Sequence, residues 1–197
     1  CCSDISTEWK MAEKVMFDTG LRFVKDYKVD GFRFDLMTSH TKEQIVRFTE
    51  AAKAINPDVY VYGEGWNSGP GQDDKWYVSA RQDNMAGTGI GTFNDRIRDA
   101  VRGGGPFDSG ASLVSNQGII SGLWYDPNAV NSGAESERTR LLDQTDRLRA
   151  QLAGGVKSYT FQNRSGNTVA GSTVGAYTED PSELINYIEK HDNETLW

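Results

Sequence analysis

Apolar residues at Trp9, Ala12, Met16, Gly20, Phe23 and Tyr27 recur at steps of three and four, which predicts an amphipathic helix over residues 7–27 with these positions on one face. The next stretch, Val29 to Asp35, alternates: Phe32 and Phe34 point one way, Arg33 and Asp35 the other. That is a strand with charge on its second face. Thr41, followed three residues later by Gln44, forms a capping-box pattern, and Ile45, Phe48, Ala52 and Ile55 predict the buried stripe of a second helix. Pro57 and Asp58 end it, and Val59 to Gly63 is a β-rich run leading into Glu64.

Regularity fades after Glu64. Residues 65–135 hold most of the glycines, in runs such as Gly87 to Gly91 and Gly103 to Gly105, and a loop region of this length inside a domain is usually functional. Within it only Phe93 to Val101 reads as a short amphipathic piece. A better helix is predicted over 136–153, with Leu141, Thr145, Leu148 and Leu152 on one face and Gly154-Gly155 as its stop. Asp180-Pro181-Ser182-Glu183 opens a helix of one turn, and Leu184 to Lys190 reads as a further strand. The order helix, strand, helix, strand with short connections implies parallel strands, hence an α/β barrel or a doubly wound sheet.

Composition narrows the partners. The chain has 197 residues, 37% hydrophobic and 25% charged, enough for one sizeable core and too apolar for general disorder. A net charge of -7 argues against a nucleic-acid-binding face and leaves a neutral polymer such as a glycan as the best fit. No apolar run approaches the length of a membrane span. The adjacent Cys1 and Cys2 read as ordinary thiols, since a disulfide between neighbours is strained. The chain is read as an excerpt of a longer protein, because it starts without an initiator Met and stops just after a site-like run.

Polar residues of catalytic type stand at the carboxyl ends of three predicted strands: Arg33-Phe-Asp35, Glu64-Gly-Trp66 and His191-Asp192-Asn193. In parallel α/β architectures active sites form at that end of the sheet. Singly, an Arg-x-Asp on a strand is more often a structural ion pair, and a lone His more often a surface or capping residue. Together, at successive strand ends, they point to a site. Cleaving an acetal through a covalent intermediate needs one ionised carboxylate and one protonated carboxyl. Arg33 shares a strand face with Asp35, Glu64 lies beside the aromatic Trp66, and Asp192 could oppose positive charge on a sugar. There is no dinucleotide fingerprint, phosphate loop, zinc pair or nucleophile elbow. Asp73-Asp74 lacks the spacing of a calcium loop, and Asn163-Arg-Ser165 and Asn193-Glu-Thr195 match the glycosylation sequon, a pattern common by chance.

The segment Val29-Asp-Gly-Phe-Arg-Phe-Asp-Leu-Met37 resembles the nucleophile segment of the α-amylase superfamily in its pullulanase form. Tyr62-Gly-Glu-Gly-Trp66 resembles the acid/base segment, and Lys190-His-Asp-Asn193 the segment with the third carboxylate. The lead-in Cys1 to Asp4 and the stretch from Gly87 through Asp108 are also similar to that debranching branch. The resemblance implies a retaining hydrolase of α-1,6-glucosidic links, with Asp35 as nucleophile, Glu64 as general acid/base and Asp192 as transition-state stabiliser. Arg33, Trp66, His191 and Asn193 would bind substrate, an α-glucan. The implied fold is a partial (β/α)8 barrel, about strands 4 to 7, with the glycine-rich region as a long insertion; all 197 residues would be the central portion of one catalytic domain. No cofactor is identified, and calcium stays open for the full-length enzyme. Two departures stand out: Thr38-Ser39 precede His40 where the family commonly has Gly-His, which bears on a nearby sugar contact, and Trp9 replaces a His, which bears on packing. The alternatives are an α-1,4-acting amylase or branching enzyme of the same superfamily, and a non-catalytic glycan-binding homologue.

Overall fold

The computed structural model describes residues 5–69 and 73–192. The chain forms two compact units, Cys1–Phe93 and Asn94–Trp197. The first contains α1 (Lys10–Tyr27), β1 (Gly31–Phe34), α2 (Lys42–Ile55), β2 (Tyr60–Gly63), a one-turn α3 (Gln82–Met85) and β3 (Gly91–Asn94), whose last residue opens the second unit. The second continues with α4 (Asp95–Arg102), α5 (Ala111–Ser115), α6 (Glu135–Leu152), the strands β4 (Thr160–Gln162) and β5 (Thr168–Ala170), and β6 (Leu184–Asn186). No helix among the described residues is long and apolar enough to cross a membrane.

In the first unit β1, β2 and β3 pair in parallel. Phe34 is registered with Gly63, and Gly63 with Thr92. The helix–strand rhythm of the sequence is therefore realised as a parallel sheet, with α1 and α2 packed together beside it. Thr41 caps α2 as expected: its hydroxyl accepts from the Gln44 N–H at 3.1 Å, and the Gln44 side chain accepts in return from the Thr41 N–H.

Phe48 of α2 is the hub of the core. Phe17, Phe32 and Phe34 meet its ring edge-on at 5.6, 5.1 and 5.5 Å. Around it pack Val24, Met37, Ile45, Ala52, Val59 and Val61. α1 can approach because Gly20 faces the Phe48 ring, where a Cβ would stand 2.5 Å from a ring carbon. This corrects part of the predicted face of α1, on which Met16 and Gly20 meet the core as expected. The helix buries Val24 and packs Met16, Phe17 and Leu21 on the core, while Trp9, Phe23 and Tyr27 are exposed. Trp9 flanks the helix start rather than packing in it. Ile55 at the end of α2 is exposed as well.

The glycine-rich region is more ordered than the sequence suggested, since α3, β3, α4 and α5 lie within it. The second unit has an unusually polar interior, with Asn94, Arg98, Glu137, Asp146, Gln151, Thr178 and Glu183 all buried. α6 follows its predicted bounds, but Leu152 is exposed and the buried positions are Glu137, Asp146, Ala150 and Gln151. β4 and β5 form an antiparallel hairpin around Asn163 to Asn167, absent from the sequence reading. Asp180 and Glu183 cap a single 3-10 turn as expected, and the strand after it is shorter than predicted, ending at Asn186.

Candidate active site

One step beyond the Phe34–Gly63 pair, the parallel register sets Asp35 and Glu64 side by side at the carboxyl ends of β1 and β2. Neighbouring strands run about 4.8 Å apart, and a carboxylate oxygen of Asp35 lies within 4.8 Å of one of Glu64. The environments differ sharply: Glu64 is 3% exposed, whereas the Asp35 side chain is 63% exposed.

Arg33, two residues before Asp35 and on the same strand face, binds both. Its Nη2 donates to Glu64 Oε1 at 2.7 Å, and its Nη1 donates to Asp35 Oδ1. A planar guanidinium with several fixed donors suits such a bridge, and Lys could not reproduce it. The other oxygen of Glu64, Oε2, accepts from the Leu36 N–H at 2.9 Å. Leu36 can present that N–H because it adopts a left-handed backbone, φ 44° and ψ 44°, directly after Asp35. Non-glycine residues take this conformation at a cost and often at functional sites. The Arg33 guanidinium is thus a cation shared by the two carboxylates.

Glu64 is framed by glycines for steric reasons. A Cβ on Gly63 would lie 2.6 Å from the Phe34 carbonyl oxygen and 2.9 Å from Met37; one on Gly65 would lie 2.9 Å from Thr92 Cγ2. The Glu64 backbone is pinned on both sides, its N–H donating to the Phe34 carbonyl at 3.0 Å and its carbonyl accepting from Thr38 at 3.2 Å.

Trp66 is half-buried and stacks against Phe93 of β3, with ring centroids 6.4 Å apart. Phe93 also meets Tyr62 edge-on at 5.6 Å and carries the Arg33 guanidinium over its ring at 5.6 Å. Phe93 and Tyr62 thus wall the site, and sequence reading missed that role; the aromatic in Gly-Thr-Phe-Asn after a glycine run was the available signal. Gln82 was missed too. It is buried, its N–H donates to the Gly65 carbonyl at 2.7 Å, and its amide donates to the Phe93 carbonyl at 2.8 Å, so it ties the loop after Glu64 to β3.

A cavity of about 530 Å³ opens beside Asp35, lined by Ile5, Thr7, Ala12, Val15, Met16, Leu36 and His40 among others. His40 is held by Thr7, whose Oγ1 lies 2.9 Å from its Nδ1, and by the Phe34 ring, and burial pushes its pKa below the ordinary value. Thr38, one of the residues where the sequence departs from the resemblance, is buried.

The structure therefore brings Arg33, Asp35, Glu64 and Trp66 together. His191 and Asp192 belong to the second unit, in an exposed turn after β6, with Lys190 Nζ 3.7 Å from Asp192 Oδ2. Asn193 lies outside the described residues.

No family model matches the chain. Individual relatives do. Pullulanase of Klebsiella aerogenes is 46% identical over 203 residues, covering 100% of this chain and 18% of that protein. Pullulanase 1, chloroplastic, of Arabidopsis thaliana is 39% identical over 213 residues, covering 100% of this chain and 22% of that protein. Among solved structures, the maltotriose complex of the G680L mutant of PulA from Klebsiella pneumoniae superposes with a TM-score of 0.91 at 44% identity, over 100% of this chain and 22% of that one. Apo pullulanase from Paenibacillus barengoltzii matches with a TM-score of 0.68 at 28% identity, over 98% of this chain and 24% of that one. The chain spans about a fifth of the length of these relatives. Along its whole length it is a homologue of pullulanases, the family that its strand-end motifs resemble.

Proposed function

We propose that residues 1–197 are the central portion of the catalytic domain of a longer starch-debranching hydrolase, supplying about strands 4 to 7 of a (β/α)8 barrel. In this reading it cleaves α-1,6-glucosidic links of pullulan, amylopectin and limit dextrins with retention of configuration. The observation that carries it is the closely spaced Asp35–Glu64 pair bridged by Arg33, with one carboxylate exposed and the other buried. Retaining enzymes hold their two carboxyls about 5–5.5 Å apart, too close for an intervening water.

Asp35, open to solvent, attacks the anomeric carbon as the glycosidic C–O bond breaks, and Glu64 gives its proton to the departing oxygen. Water then attacks the same carbon and returns its proton to Glu64, and the bond to Asp35 breaks. Through this cycle the pair carries one negative charge: on Asp35 before attack, on Glu64 while the sugar is held as an ester, and on Asp35 again after release. A guanidinium that donates to both is a fixed counter-ion for either location and need not move between steps. Trp66 offers an aromatic face to a sugar ring, His191 and Asn193 bond hydroxyls, and Asp192 opposes the positive charge of the transition state. The maltotriose bound by the Klebsiella pneumoniae relative supports an α-glucan as substrate.

In the longer enzyme, Asp35→Asn should lower turnover on pullulan by several orders of magnitude with KM little changed, because the lost interaction forms chiefly in the transition state. The parent should release maltotriose from pullulan and act poorly on linear amylose. Shortening of amylose with pullulan left intact would overturn the debranching assignment; full turnover by Asp35→Asn would overturn the site.

A further inference from the structure

α4 begins on a buried polar frame that reaches into the segment leading to Asp192. Asn94, fully buried, caps α4 by accepting from the Arg96 N–H at 3.1 Å. Its amide donates to Gln151 Oε1 at 3.0 Å and to Asn186 Oδ1 at 2.8 Å. Asn186 in turn donates to the Gln151 carbonyl at 3.3 Å. One helical turn along α4, the buried Arg98 donates from Nε to Asp99 at 2.8 Å and from Nη1 to the Tyr187 hydroxyl at 2.8 Å, with its guanidinium over the Tyr187 ring at 5.7 Å.

Two consecutive residues, Asn186 and Tyr187, are thus gripped by two side chains four positions apart, Asn94 capping α4 and Arg98 within it. β6 ends at Asn186, residues 187–190 have no regular structure, and the turn holding Asp192 follows. A buried arginine paired with a carboxylate and a phenol is expensive to desolvate. Apolar residues would fill the same space more cheaply, so its presence asks for a role that packing does not supply. Burial pushes the Tyr187 phenol up to about 12, so the hydroxyl keeps its proton at any working pH.

We propose that Arg98 and Tyr187, braced by the Asn94–Asn186 bond, are positioning residues that set where the third carboxylate, Asp192, stands. This rests on the functional reading above. It makes α4, in the glycine-rich region, a part of the catalytic apparatus without contact with substrate.

The test is a double-mutant cycle in the longer enzyme, with pullulan as substrate. Tyr187→Phe removes one oxygen and keeps the ring. It should lower kcat roughly 10- to 100-fold with KM within about two-fold, as a displaced transition-state group does. In an Asp192→Asn background, Tyr187→Phe should cost nothing further, since the group it positions is already gone. Arg98→Lys, which retains the charge but not the two-way grip, should give the same pattern and serves where Tyr187→Phe folds poorly. Equal losses from Tyr187→Phe in the parent and in Asp192→Asn would overturn the proposal alone, as would an unchanged kcat. An Asp192→Asn enzyme with parental kcat would overturn the functional reading and the proposal with it.

Discussion

Gly63→Ala tests whether strand spacing sets the proposed catalytic pair, Asp35 and Glu64. Gly63 sits at the end of β2 with no positive φ, so alanine brings no backbone strain. The cost is contact. The new methyl would lie 2.6 Å from the Phe34 carbonyl oxygen and 2.9 Å from Met37 Cβ and Sδ. Carbon–oxygen contacts close to about 3.3 Å at best, so the strands must part by roughly 0.7 Å. The obstructed carbonyl is the one that accepts the Glu64 N–H at 3.0 Å, so the shift falls on the residue that must stay beside Asp35. Overpacking costs about 1–3 kcal/mol and a weakened backbone hydrogen bond about 1 kcal/mol. The stiffer unfolded chain returns up to about 1 kcal/mol, leaving a net loss of roughly 1–3 kcal/mol. A misplacement of this size should lower kcat roughly 10- to 100-fold. Calorimetry and pullulan hydrolysis on the longer enzyme measure the two effects separately. Gly105→Ala is the control, because its added Cβ meets nothing nearer than Asp108 at 4.0 Å. A Gly63→Ala enzyme with parental kcat would refute the reasoning, whatever its melting temperature.

Two further outcomes test the first unit. Phe48→Ala should cost about 3–5 kcal/mol, since three aromatic rings lose their common partner in a buried site, and thermal unfolding reads it. His40 has its pKa lowered by burial from 6.5, so below that pH the unfolded chain takes up its proton before the folded one does; stability is full above pH 6.5 and is lost as pH falls through the folded value. His40→Gln should therefore flatten the melting temperature against pH just below 6.5, and an unchanged slope would show that His40 does not carry that dependence.

In the first unit the sequence was legible where one local rule decided the outcome. The alternation of Phe32 and Phe34 with Arg33 and Asp35 placed two rings on the Phe48 hub and two charges at the site. The Thr41–Gln44 spacing gave the start of α2. α1 misled because it carries more than one apolar stripe. Counting residues placed Gly20 and Met16 correctly towards the core, but could not tell that the covered stripe turns through Phe17, Leu21 and Val24 rather than on to Phe23 and Tyr27. Leu36 was invisible for a related reason. Nothing in a leucine announces a left-handed backbone, yet that turn aims the N–H that Glu64 receives.

The second unit was harder to read because its interior is written in polar letters. Apolar periodicity assumes that what is buried is apolar, and on α6 it picked out Leu152, which is exposed, over Asp146 and Gln151, which are buried. Three of the buried carboxylates there hold loop backbone: Glu137 receives the N–H groups of Ser132 and Ala134, Asp146 receives that of Arg164, and Glu183 those of Glu179 and Asp180. Such groups stabilise only when their partners are placed correctly, so they specify one arrangement of loops more sharply than leucines would. That difference matches what each unit holds. The first sets two carboxylates with a strand register that pairing already enforces. On the proposed function, the second would have to bring a turn with Asp192 to a defined place from short strands and long irregular chain, which hydrogen bonds with fixed partners can do and nondirectional packing cannot.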